Sequence, residues 1–280
     1  MKKTLFSTLA TLLLAGALSL NAQTTDVKPP KNSIISSQQQ TMADKRPSPL
    51  PDIQEANVMW KKTIIREIDF RQKINQPFYY PITPTSDWRN ITTVLYDAIL
   101  SGDITVYRVE NNVDEMITPL TRDDFEKENT KIGDPPVIMR DGVEVANEIT
   151  FRDRMLNVTR LRIKEDWYFD KHLSQFLVRI IALCPVVADD EGLSQVCWVP
   201  YDDQTRTVLA QAFAFNRQNA AERRTYDELL QKRFFDSYIV KEENVYDRYI
   251  NSYAFNIDAL YESERIKNEM FDYEQSLWEY

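Results

Sequence analysis

The feature of this sequence that most constrains its fold is a change of rhythm near residue 170. From residue 160 to 169 the side chains alternate. Leu161, Ile163, Trp167 and Phe169 share one parity, while Arg160, Arg162, Lys164 and Asp166 share the other. Successive residues of a strand point to opposite faces, so this stretch reads as a half-buried strand. Gln175–Cys184 is then nearly all apolar, the pattern of a strand covered on both faces. Asp170–Ser174 turns the first strand into the second, and Gln195–Pro200 adds a third. The core of the fold is therefore an antiparallel meander of at least three strands, and the rest of the chain must cover it.

The same meander positions the two cysteines. A hairpin centred between Asp190 and Glu191 sets Cys184 opposite Cys197. Opposite residues of an antiparallel pair come close enough for a disulfide, so a Cys184–Cys197 bridge is one expectation. Two buried free thiols are the other, because cysteine is commonly buried without bonding.

Helical periods lie on both sides of the sheet. Glu55–Phe70 carries Val58, Ile65 and Ile68 on one stripe, with Trp60 and Ile64 beside it, which predicts a helix. Asp87–Leu100 predicts a second, with Val94, Leu95, Ala98 and Ile99 inward and Gly102 as its cap. Thr121 with Asp124, and Thr225 with Glu228, have helix-start spacing. Asp141-Gly142 marks a hairpin turn. Ala259–Tyr280 repeats Ala259, Ser263, Ile266, Met270, Tyr273, Leu277 and Tyr280 at coiled-coil spacing, with Leu260, Phe271 and Trp278 widening the stripe. Such a stripe packs on its own domain or docks on another chain. Together these elements predict an α+β class: a central antiparallel β-meander flanked by N-terminal and C-terminal helices, in a single domain over 52–280.

The residues before that domain read differently. Met1–Ala22 has a basic start, an apolar run and a small residue before Gln23, the three parts of a secretory signal. Without Lys2 and Lys3 the formal charge falls from −9 to −11. Residues 23–51 hold five of the thirteen prolines and a polar tract, which predicts a flexible arm.

Composition excludes several chemistries. Only five glycines are present, with no phosphate-loop or dinucleotide spacing. The one histidine, His172, precludes any site of two or three histidines. Asp189-Asp190-Glu191-Gly192 lacks the alternating acids of a calcium loop. Glu165 with Asp166, or Asp202 with Asp203, are the paired carboxylates open to an acid/base role. Arg160, Arg162 and Lys164, with Arg152 and Arg154 upstream, gather positive charge in an otherwise acidic chain. This strip is either a solvated sheet face or a surface that meets an acidic partner. An acidic chain does not suit nucleic acid.

Several stretches taken together carry a family likeness. They are Ala56–Trp60, Asn75–Pro81, Ile163–Lys171, Val178–Ile181, Asn244–Arg248, Glu264–Lys267 and Leu277–Tyr280. In this order and extent the chain resembles the GldN/PorN family of the gliding-motility and type IX secretion machinery. The likeness spans about residues 52–280, and the cysteine positions are not part of it. The resemblance implies a non-enzymatic periplasmic protein at the inner face of the outer membrane. Its implied partners are an outer-membrane lipoprotein of GldK/PorK type, the periplasmic region of a GldM/PorM-type protein, and neighbouring copies in a ring. It implies no catalytic or metal-binding residue, no cofactor and no small-molecule substrate. The candidate contact residues are Trp60, Ile64, Arg160, Arg162, Lys164, Met270, Tyr273, Leu277 and Trp278. The alternative reading is a secreted carboxylate-dependent envelope glycan hydrolase, which requires a cleft holding two acids with raised pKa values.

Overall fold

A computed structural model describes residues 45–277 apart from 86–87, 111–113, 141–142, 190–191, 218 and 220–221. The expected export signal, most of the expected arm, the Asp141-Gly142 turn, Asp190, Glu191 and Trp278 lie outside the described residues. In chain order the elements are β1 (Val58–Asp69), α1 (Gln76–Tyr79), α2 (Ile91–Ser101), β2 (Val106–Tyr107), β3 (Pro119–Leu120), α3 (Arg122–Asn129), β4 (Lys131–Arg140) and β5 (Val143–Ile149). There follow α4 (Phe151–Arg154), β6 (Val158–Asp170), β7 (Gln175–Asp189), β8 (Gly192–Gln195), β9 (Val199–Pro200), α5 (Asp203–Ala210), α6 (Tyr226–Gln231), β10 (Tyr238–Glu242) and α7 (Ile257–Ser276).

The expected meander is present. β6 pairs with β7 along its whole length, and β7 pairs with β8 and then with β9. Two further antiparallel strands extend the sheet on the other side, giving the order β10-β1-β6-β7-β8 with β9 also on β7. The class is α+β, as the periodicities predict.

β1 corrects one expectation. Glu55–Phe70 has a helical apolar spacing, yet Val58–Asp69 is extended. Its second half is covered on both faces: Ile64, Ile65, Glu67 and Ile68 are all buried. A doubly covered strand loses the period of two, and its apolar positions then imitate a helix. The β-branched run Thr63-Ile64-Ile65 favours the extended form.

The two faces of the sheet bury different things. On one face Ile68, Leu161, Ile163 and Leu183 pack with Val94, Leu95, Ala98 and Ile99 of α2 and with Leu209, Leu229 and Leu230 of α5 and α6. Further along the same face of β1, Ile64 and Ile239 pack with Ile266 and Met270 of α7. The opposite face holds a smaller cluster of Ile65, Ala182, Cys184, Trp198 and Val240.

Local signals set the helix ends. Asn90 Oδ1 accepts from Thr93 N–H at 2.8 Å and starts α2. Gly102 ends it at φ +81°, with open space where a Cβ would stand, so the residue is required by its backbone angle and not by crowding. Thr121 caps α3, and Thr225 forms a reciprocal box with Glu228 at α6, both as their spacing predicts.

The cysteines show why register decides bonding. The β7–β8 hairpin has the expected register, with Val186 opposite Gln195 and Val187 opposite Ser194. Beyond Gln195 it slips by one, so that Leu183 faces Val199 and Ala182 faces Pro200. A slip of one residue sends side chains to the opposite face. Cys184 accordingly lies in the Ile65–Trp198 cluster and Cys197 in the main core. The expected Cys184–Cys197 bridge is absent, and both thiols are free and buried.

The chain ahead of β1 is held rather than loose over its described part. Buried Arg206 donates from Nη2 to Ser48 O, Lys45 Nζ lies 3.0 Å from Glu228 Oε1, and Arg179 Nη1 donates to Pro51 O at 3.1 Å. The expected flexible arm therefore does not extend through Lys45–Pro51. No helix of the described residues is long and apolar enough to cross a membrane.

Candidate interaction surface

The basic strip of β6 is neutralised from within. Arg160 Nη1 donates to Glu67 Oε1 at 2.5 Å and Arg162 Nε to Glu67 Oε2 at 2.9 Å. The Tyr238 hydroxyl adds a third donor to Glu67 at 2.5 Å. Glu67 stands opposite Arg162 in the ladder and is 1 % exposed. Burial alone would raise its pKa, but the Tyr238 hydroxyl and Arg162 outweigh burial and hold it below the ordinary carboxylate value. Lys164 Nζ donates to Asp114 O at 2.7 Å. Asp114 also binds Lys241 and the Tyr249 hydroxyl, each at 2.5 Å. Arg160 and Arg162 are thus half-buried and tied to cross-strand Glu67, with Arg162 also over the Tyr249 ring, so within the chain the strip is more than a solvated face. Upstream Arg154 is likewise buried and bound to Asp189 and to Asn129 O.

The paired carboxylates also have structural partners. Glu165 is fully buried, accepts from Trp167 Nε1 at 3.0 Å and lies 2.9 Å from Arg233 Nη1. Asp166, on the other face, accepts from Thr63 Oγ1 and Lys61 Nζ. Asp202 caps α5 through Thr205 N–H at 2.9 Å, and Asp203 is exposed beside it. Every carboxyl group whose pKa is displaced among the described residues is displaced downward: Glu67, Asp69, Asp153, Asp189, Glu228 and Glu262. A general acid of a glycan hydrolase needs the opposite shift. Among the described residues, no group of three or more His, Cys, Asp and Glu is placed to hold a metal. His172 is exposed in the β6–β7 turn, where its N–H donates to Asp170 at 2.8 Å.

The remaining sequence candidates gather at α7. Its stripe packs on its own domain: Ile266 and Met270 are buried against Ile64, and Ser263 Oγ accepts the Ile239 N–H at 2.8 Å. The small Ser263 lets the helix approach β10 closely enough to cap that edge amide. Buried Ile64 and Met270 are thus core residues in this chain, and Leu277 is half-buried. The widening residues Leu260 and Phe271 are exposed, in line with Ile257 and Tyr261.

Trp60 and Tyr273 meet across the seam between β1 and α7, with ring centres 5.1 Å apart, and Phe176 flanks Trp60 at 5.0 Å. Here the surface opens into a groove of about 840 Å³. Its walls are the start of β1 (Trp60–Lys62), the segment Glu243–Val245, and the last turns of α7 (Glu269, Met270, Asp272, Tyr273 and Ser276). Glu243 and Asp272 are participants the sequence pattern does not single out, and Val245 enters it only within the stretch Asn244–Arg248. Val245, 97 % exposed in an acidic and polar stretch, is the one signal that could have drawn attention to them.

No curated protein matches the chain. The family model described as "Gliding motility associated protein GldN" matches residues 53–279, which include the whole sheet, the seven helices of the described residues and the groove. The protein belongs to the GldN family and is a component of the gliding-motility and type IX secretion machinery.

Proposed function

We propose that the protein is a non-enzymatic structural subunit of this machinery in the periplasm, at the inner face of the outer membrane. In this reading it forms a ring with an outer-membrane lipoprotein of GldK/PorK type and meets the periplasmic region of a GldM/PorM-type protein. The observation that carries the reading is the family match over 53–279. The secretory pattern of Met1–Ala22 supports the compartment. Phe271, Leu260, Tyr261 and Ile257 leave an apolar stripe exposed on the outer side of α7, the kind of surface that protein partners cover. The carboxylates inside the fold are committed to arginines and helix caps, which supports support over catalysis. Tagged protein purified from cell envelopes is expected to bring down an outer-membrane lipoprotein in large particles. A monomer recovered without partners under gentle extraction refutes the reading.

A further inference from the structure

β1 and its outer neighbour are of unequal length. β1 has twelve residues and β10 has five, and the two pair only over Ile64–Glu67. On its other side β1 pairs with β6 through Trp60 and on to Val58. The first half of β1 is therefore a sheet edge. Thr63 shows which groups point outward: its C=O accepts from Glu243 N–H at 2.9 Å, and its N–H donates to Glu243 Oε2 at 3.1 Å. With a strand period of two, the N–H and C=O of Lys61 face the same way, past the end of β10 and into the groove. The contrast with β10 is instructive, since its Ile239 amide is capped by Ser263 of α7.

The groove beyond that edge has a definite character. Its floor carries the Trp60 and Tyr273 rings. Lys61 is drawn to Asp166 and Lys62 to Glu242, both outside the groove, and Glu269 is drawn to Arg265. That leaves Glu243, held only by the Thr63 amide, and exposed Asp272 as its uncommitted charges. An edge with a free donor and acceptor, an aromatic floor and two negative side chains fit one kind of occupant.

We propose that the edge at Lys61 receives an extended basic peptide segment of a partner protein, which adds to the sheet as a strand beside β1. Main-chain bonds to Lys61 supply the register. Alternate side chains of the segment enter the groove, where a lysine or arginine lies over Trp60 and Tyr273 and against Asp272 and Glu243. This goes beyond membership of a ring and does not depend on it, because the purified chain alone carries every group involved.

The test uses the whole chain and two labelled synthetic peptides, one alternating valine with lysine and one alternating valine with glutamate. Fluorescence anisotropy is expected to show saturable binding of the lysine peptide and none of the glutamate peptide. Asp272→Lys, on an exposed position, weakens binding by about tenfold, the size of one charge-assisted contact. Amide exchange then reads the edge directly: the Lys61 N–H becomes protected when the lysine peptide is bound. Lys61→Pro removes that donor from an edge position where proline is tolerated, and binding falls further. Failure of the lysine peptide to bind overturns the proposal. So does equal binding of both peptides, or binding that leaves the Lys61 amide exchanging freely. Self-association of the unliganded chain that Lys61→Pro abolishes assigns the edge to a second copy and overturns the heterologous partner.

Discussion

Replacing Glu67 by glutamine tests whether the β6 cations belong to the scaffold. The substitution keeps the shape of the side chain and removes its charge. Glu67 is 1 % exposed and receives Arg160, Arg162 and the Tyr238 hydroxyl. In the variant two guanidinium groups lose their counter-ion, and a glutamine NH₂ must face donors. Breaking a fully buried pair costs about 3–5 kcal/mol. The arginine side chains retain 20 % and 13 % of their exposure, so water recovers part of that cost. The lower end, about 3 kcal/mol, is the expected loss at neutral pH. For a domain of this length that lowers the melting temperature by roughly 6–12 °C.

The same carboxylate has a pH signature. Its folded pKa lies below the ordinary value of 4.5, so the unfolded chain takes up the proton first as pH falls. The stabilisation is complete above 4.5 and disappears as pH drops through the folded value. Thermal melts of wild type and Glu67→Gln across the acid range should therefore converge below pH 4.5. A loss under about 1 kcal/mol at pH 7, or a gap that persists in acid, refutes the pairing as the reason the strip is charged. A normal melt combined with failure to join the native assembly would return Arg160 and Arg162 to the interface.

Four further outcomes follow from burial and bonding. Alkylation without reductant should leave Cys184 and Cys197 untouched in the folded chain and add two groups once guanidinium unfolds it; no addition after unfolding would restore the bridge. Burial pushes the Cys184 thiol up to about 12 from 9, so stability should fall as pH rises above 9, where only the unfolded chain gives up that proton. Ile266→Ala should cost about 2–4 kcal/mol in urea unfolding and Phe271→Ala less than about 0.5; the reverse order would mean that α7 docks by its other face. Arg206→Met should speed tryptic cleavage after Lys45 and lower the melting temperature, because Ser48 O loses its donor and buried Asp227 keeps only the Tyr201 hydroxyl; unchanged cleavage well below the melt would show that Lys45–Pro51 is held by other contacts.

What the sequence reveals of this fold depends on how far each element's determinants lie from it. The caps at Thr121 and Thr225 are legible because side chain and amide are three residues apart. The β6–β7 pair is legible because both strands and their turn are contiguous, and β6 keeps a polar face. The cysteine pairing fails on a slip between Gln195 and Val199, which composition does not betray. β1 fails for a deeper reason. Its second half is covered by α2 and α7 on one face and by the Trp198 cluster on the other, all supplied by other parts of the chain, so its own pattern holds no trace of them. That failure also conceals the proposed site. A helix satisfies its own amides along its length, whereas a strand does so only where it has neighbours. Read as a helix, Glu55–Phe70 offers side chains alone; folded as β1 beside a strand of five residues, it offers a backbone edge at Lys61. The segment whose local pattern disagrees with its fold is thus the segment with unmet main-chain bonds, where a binding surface is most expected.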